Sequence, residues 1–217
     1  MSQLHIIWDL DGTLIDSEAE VLKALELSVR EAGLSENDQR AAFRMGPPID
    51  IILEAAFAPE VLTEEKKKRI VASFRTNYDN CGFNNTLPFD GINEILSSEG
   101  LVHHIVTNKP DLATARILER LGWKEKFLSV ITPYSFMRNP GDKRKSKAEL
   151  FSICMTPYKG SRFVGIGDME GDACAAKAAG ITALGVLWGT GTSEELQICD
   201  AVFSDTQKLH EYLKTQY

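Results

Sequence analysis

Residues 6–17 read IIWDLDGTLIDS: an apolar run, then Asp9 and Asp11 one residue apart, then Gly12-Thr13. Residues 4–8 have the length and apolarity of a short buried strand. A strand that only packs has no use for two carboxylates just past its end, because burying them unpaired is costly. The period changes at once. Ser17-Glu-Ala-Glu20 has the spacing of a capping box, Val21, Leu25, Val29 and Ala32 recur at helical spacing, and Gly33 marks a stop.

Further out, Ile49, Ile52, Leu53, Ala56 and Phe57 make a second apolar helical face, and Thr63-Glu-Glu opens a third helix carrying Ile70, Val71, Phe74 and Tyr78. Residues 16–82 therefore read as purely helical. CGFNNTLPFDG, residues 81–91, is dense in turn formers and reads as a linker. Beyond it strand-like segments at 102–107, 127–131, 163–167, 183–187 and 201–203 alternate with helical ones near 91–99, 110–121, 147–155, 171–179, 193–198 and 205–215. Such alternation implies a mostly parallel sheet covered on both faces. One strand precedes the helical block and the rest follow it. The expected organisation is one α/β core, residues 1–15 and 84–217, with a helical insertion over residues 16–83 at the edge where open α/β sheets bind ligands.

Composition narrows the classes. The chain has 217 residues, 43% hydrophobic and 25% charged, with a net charge of −7. That size suits one sizeable core plus a smaller unit. The acidic balance argues against a general nucleic-acid binder. No apolar run is long enough to span a membrane, and MSQLHIIWDL has no leader pattern. Cys81, Cys154, Cys174 and Cys199 have no metal or disulfide spacing and read as reduced core thiols. A cytoplasmic protein is the expectation.

Asp9 and Asp11 have counterparts. In VGIGDMEGD, residues 164–172, Asp168 again ends an apolar strand, with Asp172 four residues on. Two strands ending in aspartate can converge on one cation, and Mg²⁺ suits a site of carboxylates plus phosphate oxygen. Asp172 taken alone reads as a helix cap rather than a ligand. Gly12 permits a tight turn whose N–H groups could cradle an anion, and Thr13 adds a hydroxyl. A third strand ends in Val106-Thr107-Asn108-Lys109, where Thr107 is either a cap or a phosphate donor. Lys143-Arg-Lys145-Ser-Lys147 precedes an apolar helix. Most such cations are solvated surface, but a phosphoryl site lined by acids needs one fixed ammonium.

With DLDGTL at 9–14, VTNK at 106–109 and GDMEGD at 167–172, the sequence resembles the haloacid dehalogenase superfamily, in its phosphoglycolate phosphatase-like branch with a small helical cap. GVLWGTGTSEEL, residues 185–196, also resembles that branch, and the Gly46-Pro47 turn is the part of the cap that does. The resemblance implies a Rossmann-like core with the helical cap inserted after strand 1. It implies Mg²⁺-dependent hydrolysis of a small phosphomonoester: Asp9 as nucleophile, Asp11 as acid and base, and the metal held by Asp9, the Asp11 carbonyl and Asp168, with Asp172 behind them. Phosphoryl oxygens would meet Gly12, Thr13, Thr107, Asn108 and a lysine. The third motif departs from the family pattern because it lacks Pro-x-Pro. Register with the following helix places Lys145 there, with Lys143 as the alternative. Asp11 favours a phosphatase over a dehalogenase, since a halide leaves without a proton. A phosphomutase or a non-catalytic binding protein on this scaffold are the alternatives. Arg44, Gly46, Pro47 and Arg75 are the cap's candidates for substrate contact, with surface or packing roles as the alternative for each.

Overall fold

The computed structural model describes residues 3–81, 83–137, 139 and 141–216, with backbone alone over 79–81. In chain order the elements are β1 (Leu4–Trp8), β2 (Ile15–Asp16), α1 (Glu18–Glu31), α2 (Ile49–Ala56), α3 (Glu64–Cys81), β3 (Leu87–Pro88) and α4 (Ile92–Ile95). They continue as β4 (Leu101–Val106), α5 (Asp111–Arg120), β5 (Ser129–Ile131), α6 (Lys147–Met155) and β6 (Arg162–Gly167). The chain closes with α7 (Glu170–Ala178), β7 (Thr182–Val186), β8 (Ala201–Phe203) and α8 (Thr206–Lys214). It divides into two compact units, residues 1–16 with 87–217, and residues 17–86.

The larger unit is built on a six-stranded parallel sheet in the order β5-β4-β1-β6-β7-β8. Leu-His-Ile-Ile-Trp is buried at every position of β1. Alternate residues of a strand face opposite ways, so both faces of the sheet centre are covered. This is why β1 reads as a continuous apolar run rather than an alternating one. From β1 the chain extends the sheet to β4 and β5, then returns to β6 on the other side of β1. The strand order reverses at β1, which places a ligand crevice beyond the carboxyl ends of β1, β4 and β6. Behind it, Ile7 and Val106 pack with Leu150, Phe151 and Cys154 of α6 and Ala173 and Ala176 of α7.

In the smaller unit Ala24, Leu25, Ser28 and Val29 form the buried stripe of α1, and Ile70, Phe74 and Tyr78 are buried on α3. Asn77 Nδ2 donates to Ser28 Oγ across the pair at 3.1 Å.

Several local expectations need correction. Ser17 is the N-cap of α1 but makes no side-chain cap hydrogen bond, so the Ser17/Glu20 capping box does not form. Residues 16–82 are not purely helical. Asp16 belongs to a strand, and Gln39 bridges Phe57, with Arg40 N–H donating to Ala56 O at 2.7 Å. The supposed linker at 81–91 contains β3, which pairs antiparallel with β2 (Ile15 opposite Pro88, Asp16 opposite Leu87). Cys154 is buried, but Cys174 is exposed and Cys199 half-buried; the Cys81 side chain lies outside the described residues. Among the described residues no helix is long and apolar enough to cross a membrane.

Candidate active site

Asp9 follows β1 directly. Its N–H donates to Ile166 O at 2.9 Å, carrying the ladder one residue past Trp8. The chain then folds into a closed turn in which the N–H groups of Leu14 and Ile15 donate to Leu10 O at 2.9 and 3.1 Å. Gly12 has φ +77°, and a Cβ there would lie 2.3 Å from Asp168 Oδ2. No side chain fits this turn without displacing the Asp168 carboxylate. Gly189 approaches as closely: a Cβ there would meet both Gly12 O and the Asp168 side chain.

Asp168 follows β6 and is 1% exposed. Thr13 Oγ1 donates to its Oδ1 at 3.1 Å. Thr190 donates to Oδ2 twice, from N–H at 2.8 Å and Oγ1 at 3.1 Å. Asp172 lies in the first turn of α7, where Oδ2 accepts from Met169 N–H at 3.0 Å. Its other oxygen ion-pairs with Lys147, whose Nζ is also 2.7 Å from Asp9 Oδ1.

Asp9, Asp168 and Asp172 each offer a carboxylate oxygen within 4.8 Å of the others. Burial pushes Asp9 up to about 6 although Lys147 beside it pulls down. Burial likewise raises Asp168 and Asp172. Burial opposes the charge of Lys147, but Asp172 and Asp9 outweigh it and raise the lysine. Three clustered carboxylates against one ammonium leave a local charge of about −2 when all are ionised. Hard oxygen donors with that imbalance fit a divalent cation such as Mg²⁺.

The lysine assignment from sequence needs correction. Lys145 does not reach Asp9: its Nζ lies 3.9 Å from Glu149 Oε1 and over the Phe136 ring. Lys143 is exposed. Ser146 is the N-cap of α6, accepting from Glu149 N–H at 3.3 Å while Glu149 Oε2 accepts from Ser146 N–H at 2.8 Å. This reciprocal pair starts the helix at Lys147. Lys145 is left before the cap, and Lys147 in the first turn is the lysine that meets Asp9. The signal was present as Ser-Lys-Ala-Glu, a capping box that puts a lysine at the first helical position.

Other expected contacts also differ. The N–H groups of Gly12 and Thr13 donate to Ile15 O (2.9 Å) and Leu10 O (3.4 Å), so they close the turn instead of opening toward an anion. The Thr13 hydroxyl serves Asp168 instead of a phosphoryl group. Thr107, just past β4, is 2% exposed and accepts from Lys109 N–H at 3.2 Å. Asn108 Oδ1 accepts from Arg144 at 3.2 Å. Asp11 stands apart from the three-carboxylate group and pairs with Lys109, Nζ to Oδ1 at 2.8 Å. Sequence reasoning quoted Lys109 in VTNK and Thr190 in GVLWGTGTSEEL but gave neither a role, because nothing local says which distant carboxylate each meets.

A family model described as haloacid dehalogenase-like hydrolase matches residues 6–186. A phosphoglycolate phosphatase of Xanthomonas campestris is 29% identical over 190 residues, 85% of this chain and 83% of the relative. One of Xylella fastidiosa is 30% identical over 199 residues, 88% and 82% of the two chains. In fold, a haloacid dehalogenase-like hydrolase of Streptococcus pneumoniae superposes with a TM-score of 0.80 at 22% identity, covering 96% of this chain and 97% of that one.

Proposed function

Because the chain belongs to the haloacid dehalogenase-like hydrolase family, we propose that this phosphatase is Mg²⁺-dependent and hydrolyses a small phosphomonoester through a phosphoaspartate on Asp9. The observation that carries the reading is the ion-paired group at the carboxyl ends of β1 and β6: Asp9, Asp168 and Asp172 with Lys147.

In the first step a carboxylate oxygen of Asp9 forms a bond to phosphorus as the bond to the leaving oxygen breaks. Asp11 gives that oxygen its proton. In the second step water attacks phosphorus, its proton passes to Asp11, and the bond to Asp9 breaks. Lys147 holds Asp9 in place and offsets charge on the phosphoryl oxygens. Mg²⁺, held by Asp9, the Asp11 carbonyl and Asp168, would offset repulsion between the nucleophile and an anionic substrate. Thr13 and Thr190 keep Asp168 oriented for that role, and Asp172 fixes Lys147. Thr107 and Asn108 remain our candidates for phosphoryl contacts.

The named relatives support a phosphoglycolate-like substrate, and the helical unit is assigned its selection. The test is a panel of metabolite phosphates assayed for phosphate release with Mg²⁺ and with EDTA. The reading predicts turnover of a small acidic phosphomonoester that chelation abolishes; turnover indifferent to EDTA would remove the metal from it.

A further inference from the structure

Two lysines pair with three of the four acids at this end of the sheet, and Asp168 is held by Thr13 and Thr190 instead. Lys147 serves Asp9 and Asp172, whereas Lys109 reaches Asp11 from the loop after β4. The Lys109 side chain is 5% exposed although the carboxylate it meets is 31% exposed. Burying an ammonium is costly unless it is paired. Its backbone is fixed as well, by the N–H donated to Thr107 Oγ1 at 3.2 Å. The contact spans 98 residues of sequence and joins the turn after β1 to the loop after β4. A surface ion pair would be held by two mobile side chains; here one partner is locked by packing.

We propose that Lys109 is the positioning residue for Asp11, anchoring its carboxylate through Oδ1 so that the group is aimed at the reacting oxygen in both half-reactions. The proposal rests on Asp11 acting as acid and base. It differs from a structural staple in what it predicts for leaving groups. An aryl oxygen departs with little need of a proton, so the first step tolerates a misplaced Asp11, but hydrolysis of the phosphoaspartate still needs the base. An alkyl oxygen needs the proton, so both steps suffer together.

The experiment is rapid acid quench of Lys109→Met during turnover of p-nitrophenyl phosphate and of an alkyl phosphate, with the phosphorylated fraction of enzyme measured. With the aryl substrate, hydrolysis of the phosphoenzyme should slow by about 10²-fold while its formation changes by less than about threefold, so phosphoenzyme accumulates. With the alkyl substrate kcat should fall with no accumulation, and Lys109→Arg should restore most of both. Equal losses for the two substrates with an unchanged phosphorylated fraction, or no loss, would overturn the proposal. Lys109→Gln repeats the test should the Met variant not fold. Asp9→Asn is the separate control: turnover without Asp9 sinks the nucleophile reading, whereas a dead Asp9 variant beside an unaltered Lys109 variant sinks only this one.

Discussion

Lys147 Nζ stands 2.7 Å from Asp9 Oδ1 and is ion-paired with Asp172 as well, so one ammonium ties the end of β1 to the first turn of α7. Removing one preorganised charge from such a site costs about 10²–10³ in kcat. Lys147→Met should therefore lose activity on that scale, while Lys145→Met should stay within about threefold of the parent. Steady-state rates with an aryl phosphate decide it. A loss confined to Lys145→Met would return the role to that residue.

Gly12 and Gly180 have nearly the same φ, +77° and +72°, but a Cβ at Gly12 meets Asp168 whereas one at Gly180 meets nothing within 4 Å. Left-handed strain alone costs ~1–3 kcal/mol. Gly180→Ala should show only that strain in urea unfolding. Gly12→Ala should cost more and should also weaken Mg²⁺ binding in a calorimetric titration. Equal stability losses with intact metal binding would contradict the close approach.

The buried histidines set an acid limit on stability. His5 Nδ1 lies 2.9 Å from His104 Nε2, His104 Nδ1 lies 2.8 Å from Ser129 Oγ, and Trp8 Nε1 donates to His103 Nδ1 at 3.0 Å. Burial holds His103 and His104 at about 4, down from 6.5, and lowers His5 as well. Below pH 6.5 the unfolded chain takes up protons that the folded one refuses until about pH 4. Stability falls across that window by at most ~1.4 kcal/mol per pH unit for each histidine. Asp9, Asp168 and Asp172, raised by burial, act in the opposite sense. Denaturant unfolding of the parent and of His104→Gln across this window separates the two: the parent should lose more stability with acid than the variant. Parallel curves would contradict it.

Chelation supplies an independent check. Three carboxylates close together, Asp168 and Asp172 buried and Asp9 half-buried, repel one another, and a divalent cation relieves that repulsion. Mg²⁺ should raise the midpoint of thermal unfolding, and Asp168→Asn should abolish the rise while leaving the sheet intact by circular dichroism. A rise unchanged in that variant would move the metal elsewhere.

The strands were legible in the sequence because a buried parallel sheet writes apolar runs that end abruptly in polar residues. Leu4–Trp8 before Asp9 and Arg162–Gly167 before Asp168 both show this. The pairing of β2 with β3 was not legible: two-residue strands across 70 intervening residues leave no periodicity. The carboxylates were identifiable because they stand where packing gives them no reason to be. The lysines were harder, since Lys143, Lys145 and Lys147 differ only in where the helix begins. The capping pair Ser146 and Glu149 decides that, and it was present in the sequence. Lys109 depends on a contact between distant loops, which no local pattern encodes.

Mass spectrometry of peptides from enzyme quenched in acid during turnover asks whether Asp9 carries the phosphoryl group. A phosphorylated peptide containing Asp9 should form with Mg²⁺, be lost on chase with unlabelled substrate, and be absent in Asp9→Asn. A phosphoryl group on another residue, or full turnover by Asp9→Asn, would contradict it.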